Sequence, residues 1–211
     1  SINRTVDTLE YYRNISDKYG VNKFSVMATS ATRDAENKEV FFKKAKDKAG
    51  FDIEVISGKR EGELAFKGVT SDLTDQKILM IDIGGGSTEF VFGNKENIDI
   101  CKSLNIGAVR LKEKFFSQDD YNDINFAKSK KWIVKTLSKV KDLKNKHFYL
   151  RGIAGTITTQ VTLIKKMEIY DTNQVNNYKL NLSEVNNNLK LLKNRSLEER
   201  KKIKGLEEKR A

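Results

Sequence analysis

The stretch Ile81-Asp82-Ile83-Gly84-Gly85-Gly86-Ser87-Thr88-Glu89-Phe90 constrains this chain more than any other. It reads as a buried strand ending in an acid, a glycine turn with hydroxyls behind it, and a second strand. Successive glycines adopt backbone angles closed to other residues and let a ligand approach the main chain. The N–H groups of Gly84, Gly85 and Gly86, with the hydroxyls of Ser87 and Thr88, can then surround a cluster of phosphate oxygens. Asp82 is a hard oxygen ligand suited to Mg²⁺ or Mn²⁺, and Glu89, across the hairpin, is placed to hold a metal-bound water. The plainer alternative is a flexible β-turn between two solvated acids.

Around this hairpin the pattern alternates between helix and strand. Thr5 to Tyr19 has helical spacing and stops at Gly20, and Lys23 to Ala28 follows as a strand and then a polar turn. Ala35 to Ala49 is expected to be a helix with Gly50 as its C-cap, and Asp52 to Ile56 a strand. After a helix over Glu61 to Val69, the runs Ile78 to Ile83, Thr88 to Phe92 and Ile98 to Leu104 form an antiparallel meander. Helices over Gly107 to Phe116 and Phe126 to Leu143, a strand at Phe148 to Ile153 and a helix from Thr156 to Met167 come next. The remainder is a short strand at Tyr178 to Leu182 and two polar helices, the second capped by Ser196 and Glu199. This is a mixed α/β class with a crossing near Gly58, which divides residues 1–58 from residues 59–211.

Composition narrows the chemistry. One cysteine, Cys101, and one histidine, His147, disfavour disulfides, cysteine-ligated zinc and histidine-based triads, so catalysis must run on carboxylates. Cys101 reads as a small core residue, His147 as a surface or edge residue, and Trp132, Phe115, Phe116 and Phe126 as core packing. A net charge of +11 attracts anions of any kind. No nucleic-acid fold signature or aromatic and basic interleaving accompanies it, so a nucleic-acid partner is not expected, and Lys139 to Lys146 reads as a solvated face. No apolar run is long enough for a membrane span, and the start Ser1-Ile2-Asn3-Arg4 shows no secretory signal, so a cytoplasmic protein is expected.

The motif Ile81 to Glu89 resembles the glycine-rich segment of the Ppx/GppA family of exopolyphosphatases and guanosine pentaphosphate phosphohydrolases. Three more segments agree with that family in order and spacing: Ala28-Thr29-Ser30-Ala31-Thr32-Arg33-Asp34-Ala35, Ile56-Ser57-Gly58-Lys59-Arg60-Glu61, and Gly152-Ile153-Ala154-Gly155-Thr156. The resemblance implies a ribonuclease-H-like lobe, of the type in actin, sugar kinases and heat-shock ATPases, with part of a second lobe before Gly58. It further implies Glu61 as the general base, Asp82 and Glu89 as the carboxylates that place metal and water, Arg33 as a cleft cation, and Gly155 and Thr156 as a second phosphate loop. The activity implied is metal-dependent hydrolysis of terminal phosphoanhydride bonds in inorganic polyphosphate or guanosine pentaphosphate, with Mg²⁺ or Mn²⁺ as cofactor and pairing of two copies.

Residue by residue the chemistry is reasonable, and so are the bland readings. A water attacking phosphorus needs a proton acceptor within hydrogen-bond reach, whereas a glutamate at that spacing is also an ordinary first-turn helix acid. Arg33 has a fork that suits phosphate oxygens, or it pairs with Asp34 or Glu36. Gly155 and Thr156 alone read as a helix cap. Family members begin with a further strand and an Asp-x-Gly-(Thr/Ser)-x-Ser turn that has no counterpart here, and the segment from Gly205 resembles an element cut short, so the chain is expected to be a piece whose missing turn completes the cradle. Gly62 stands where the family more often has alanine, a change expected to weaken the helix slightly without moving Glu61. Two other classes share the fold: a non-catalytic nucleotide or polyphosphate sensor, and a phosphotransferase that passes phosphate to an acceptor.

Overall fold

The computed structural model describes residues 2–71, 75–116 and 121–211. It begins with helix α1 (Ile2–Lys18), which Gly20 ends at a φ of +67°, a left-handed angle natural to glycine. Strand β1 (Val26–Ala28) pairs in parallel with β2 (Ile53–Val55), and the connection between them carries the one-turn helix α2 (Ser30–Arg33) and the longer α3 (Lys38–Ala49). The polar turn expected after β1 is therefore helical at its start. As expected, Gly50 terminates α3 in the left-handed region, its N–H donating to the Lys46 carbonyl.

The chain then passes through Ile56 and Ser57 into α4 (Gly58–Thr70), which packs on a second sheet. That sheet has the order β5-β4-β3-β6, built from β3 (Ile78–Ile83), β4 (Thr88–Gly93), β5 (Ile98–Leu104) and β6 (Tyr149–Ile153). β3, β4 and β5 form the antiparallel meander, and β6 lies parallel to β3 on its far side. Three antiparallel strands joined by a parallel fourth beside the first is the ribonuclease-H-like arrangement.

Strict alternation along the strands makes two cores. Met80, Val91 and Cys101 share one face, where Phe66 and Ala65 of α4 cover them. Leu79, Phe92 and Ile100 share the other, beneath Trp132, Ile133 and Val140. Those last residues come from α6 (Asp123–Leu137) and the 3-10 segment Ser138–Leu143, which kinks at Val140, so the single helix expected from Phe126 to Leu143 is two pieces. The aromatics named as core packing occupy that role: Phe115 packs on Trp132 and Phe116 on Phe126. Helix α5 (Ala108–Phe115) follows the meander in the chain and packs against α6.

After β6 come α7 (Ala154–Lys165), α8 (Thr172–Val175), α9 (Leu182–Lys193) and α10 (Leu197–Lys201). The strand expected at Tyr178 to Leu182 does not form. The Tyr178 hydroxyl donates to Glu184 instead, and Asn181 closes a capping box with Glu184 that starts α9. The Ser196 and Glu199 box at α10 forms as its sequence spacing suggests.

Candidate active site

The site grows from pairing register. Directly opposed residues on neighbouring strands put their side chains on the same face, so Asp82 of β3, Glu89 of β4 and Ser103 of β5 stand in one row at the end of the sheet. Helix α4 lies over that row. Ser57 caps it, its hydroxyl accepting from the Arg60 N–H at 3.1 Å, which sets Glu61 in the first turn above the carboxylates. Gly62 makes the approach close: a Cβ there would stand 3.0 Å from Val91 Cγ2 and 3.2 Å from Cys101 Sγ. Its missing side chain therefore seats α4 directly on the sheet, beyond the slight weakening of the helix expected from the sequence.

Arg33, at the end of α2, reaches across from the first sheet. Its Nη1 donates to the Ile56 carbonyl at 2.7 Å and to Glu61 Oε2 at 3.0 Å, and both charged side chains are 22% exposed. The plain readings of these two residues fail together. Glu61 is not a solvated helix acid, and Arg33 pairs with neither Asp34 nor Glu36.

Glu89 is 1% exposed, so it is not a solvated hairpin acid either. Ser103 Oγ donates to its Oε1 at 2.7 Å, and Ser87 also hydrogen-bonds it. Burial pushes the Glu89 carboxyl above its ordinary value, the two serine hydrogen bonds pull against that, and the charges of Glu61 and Asp82 add to the rise. Asp82 is also raised, chiefly by burial and then by Glu61. Three acids thus crowd one end of the sheet, and Arg33 pairs with one of them, Glu61.

The raised Asp82 has a stability consequence. A carboxyl whose folded value exceeds its unfolded one favours the folded state below the unfolded value, and that benefit is lost as pH rises through the folded value. Asp82→Asn is therefore expected to melt at a higher temperature than wild type near neutrality, the gap closing as pH falls toward about 4. Thermal melts of both proteins from acid to neutral pH check this. An equal gap at every pH would refute it.

The glycine loop is shaped by the start of α5, a segment whose sequence shows only an ordinary helix start. The carbonyls of Gly84 and Gly85 accept from the backbone N–H groups of Ala108 and Arg110, each at 3.0 Å, and the Gly86 carbonyl accepts from Arg110 Nε at 2.7 Å. A trans peptide points its N–H opposite to its C=O, so the N–H groups of Gly85, Gly86 and Ser87 are turned away from α5. Such a run of amide hydrogens is an anion cradle. Gly107 permits the contact, because the backbone of Gly85 occupies the place where its Cβ would be. Ser30 of α2 likewise occupies the place where a Cβ on Gly86 would be.

The two hydroxyls expected to join this cradle are used elsewhere. Ser87 is buried against Glu89, and Thr88 is buried on the opposite face, its Oγ1 donating to the Ile106 carbonyl at 2.6 Å. Thr88 holds the turn before Gly107; contrary to the sequence expectation, its hydroxyl does not face the cradle. Gly155 and Thr156 lie in the first turn of α7, after Ala154 at a φ of +67°. Asp82 pairs with Ile153, so this second loop stands beside the first at the same end of the sheet, with the Arg210 guanidinium against Gly155. Cys101 is half-buried, its Sγ donating to the Lys59 carbonyl at 3.4 Å, and burial pushes the thiol up, away from nucleophilic use. His147 is exposed and precedes β6.

Asp82 and Glu89 were the expected metal ligands. Among the described residues no three His, Cys, Asp or Glu side chains converge as a ready cage. Glu89 already accepts from two serines, whereas among the described residues no side chain is shown donating to Asp82, which sits beside the cradle. That donor set fits Mg²⁺, which takes one or two carboxylates and completes its shell with water and substrate phosphate.

A ribonuclease-H-like sheet with clustered acids and a run of glycine amides at one end defines an α/β protein with a candidate anion site. The model of the Ppx/GppA phosphatase family matches residues 1–211, and the chain belongs to that family. It is 44% identical over its whole length to a bifunctional 3-dehydroquinate synthase/phosphatase of Fusobacterium nucleatum, of which it covers 32%. It is 32% identical to exopolyphosphatase 2 of Mycobacterium tuberculosis over 81% of this chain and 56% of that protein. The chain thus spans from about a third to just over half of these relatives. The crystal structure of an exopolyphosphatase from Cytophaga hutchinsonii superposes with a TM-score of 0.84 at 32% identity, covering 99% of this chain and 69% of the other. Among the described residues no helix is long and apolar enough to cross a membrane.

Proposed function

We propose that this chain is the catalytic part of a phosphohydrolase that removes terminal phosphate from inorganic polyphosphate or guanosine pentaphosphate. The observation that carries the reading is the position of Glu61, capped and ion-paired in the first turn of α4, above Asp82 and a loop whose amide hydrogens face away from α5. The relative named exopolyphosphatase shares most of this chain and supports the same reading.

In this mechanism the amide hydrogens of Gly85, Gly86 and Ser87 hold the terminal phosphate, gaining strength as negative charge builds on its oxygens. Glu61 accepts the proton of the attacking water, and Arg33 holds that carboxylate in place until substrate arrives. Glu89, fixed by Ser87 and Ser103, holds the floor of the site in place. Mg²⁺ bound at Asp82 would neutralise charge on the phosphates and position them. The basic surface of the chain gathers the rest of the polyanion.

The test is phosphate release from long-chain polyphosphate and from guanosine pentaphosphate, with Mg²⁺ and with a chelator in excess. Release from at least one substrate, abolished by the chelator, is expected. Binding of either polyanion without any release would overturn the hydrolase reading.

A further inference from the structure

Arg110 is the side chain that completes the glycine cradle. Its Nε donates to the Gly86 carbonyl at 2.7 Å, its own N–H donates to the Gly85 carbonyl, and its Nη2 pairs with Asp34. Asp34 belongs to the first sheet's side of the molecule, immediately after Arg33 in the turn that ends α2. One guanidinium therefore grips the cradle's last carbonyl with one nitrogen and the opposite wall with another. The arrangement parallels the one beside it, where Arg33 spans from α2 to Glu61.

We infer that Arg110 is a positioning residue for phosphate binding, with Asp34 as its anchor across the cleft. This rests on the proposed phosphate site and adds to it a cause for the cradle's shape. The Gly86 carbonyl must be held toward α5 for the following N–H, that of Ser87, to face the ligand. Main-chain bonds from α5 fix the first two carbonyls, whereas among the described residues the third is held by this side chain. Lysine cannot replace it, because a single ammonium on a flexible stem does not present two donors in a fixed fork.

The experiment compares wild type, Arg110→Ala, Arg110→Lys, Asp34→Asn and the Arg110→Ala/Asp34→Asn double variant, each first checked for cooperative melting. Two readouts are taken: affinity for tripolyphosphate by titration calorimetry and kcat/KM for phosphate release. Arg110→Ala is expected to weaken tripolyphosphate binding by about tenfold, and Arg110→Lys by nearly as much. Asp34→Asn is expected to weaken it by roughly threefold and to add nothing once Arg110 is gone, since coupled groups are not additive. Unchanged affinity and kcat/KM in a folded Arg110→Ala variant would overturn the inference while leaving the hydrolase reading intact. So would independent, additive losses from the two sites. Conversely, wild-type binding without release would sink the hydrolase reading alone, because the affinity arms still judge Arg110.

Discussion

Glu61→Gln is expected to lower the rate of phosphate release by two orders of magnitude or more, the usual scale for removing a positioned general base. Tripolyphosphate affinity should stay the same or improve. The two outcomes separate because the amide keeps the size of the carboxylate and can still accept from Arg33 Nη1, now 3.0 Å from Glu61 Oε2, so neither α4 nor the crossing has reason to move. The amide also removes one of the negative charges that crowd Asp82 and Glu89 and would repel an incoming polyanion. Single-turnover release and binding measured side by side check this. A variant that retains rate within about threefold would assign the proton acceptor elsewhere.

Gly107→Ala is expected to cost about 1–3 kcal/mol of stability, the range for forcing a methyl into a filled space, and to abolish tight phosphate binding. The φ at Gly107 is −156°, an extended angle any residue adopts, so the conflict is one of contact. A Cβ there meets the carbonyl of Gly85, and backbone held by bonds from Ala108 and Arg110 cannot step aside without opening the cradle. A fall of roughly 2–12 °C in Tm corresponds to that cost in a chain of this size. Gly68→Ala is the matching control. That glycine is exposed in the last turn of α4 with nothing near its missing Cβ among the described residues, so alanine should stabilise by up to about 1 kcal/mol through helix propensity. If both substitutions moved Tm in the same direction, crowding at Gly107 would not be the cause.

The elements that were legible in the sequence are those whose pattern is local. Alternation over β3, β4 and β5, the glycine that ends α3, and the box at Ser196 follow from spacing within a few residues, and the structure has them. The family segments were legible for the same reason, as compact strings. What the sequence hid is where side chains point once strands pair. Ser87 and Thr88 are equally plausible phosphate donors on paper, yet register turns one toward Glu89 and the other to the far face. Arg110 and Gly107 belong to none of the four family-like segments, and their link to the glycine loop spans 24 residues for the Arg110 to Gly86 bond. A glycine immediately before a helix, in a chain whose other loop needs its carbonyls satisfied, was the available signal. The missing strand at Tyr178 is a local error of another kind, since the aromatic there serves a hydrogen bond to a helix-capping glutamate.

The passage from β2 into α4 leaves almost no slack. The Ile56 N–H donates to the Ala28 carbonyl of β1, and its own carbonyl accepts from Arg33 of α2, so both polar ends of that residue are pinned to the first half of the chain. Rotation between the two sheets is thereby confined to the backbone from Ser57 onward, which is the cap of α4 itself. The joint and the proposed proton acceptor share a single helical turn. Any swing that opens the cleft must tip Glu61 through the same arc, so access for the substrate and aim of the base are mechanically geared to each other.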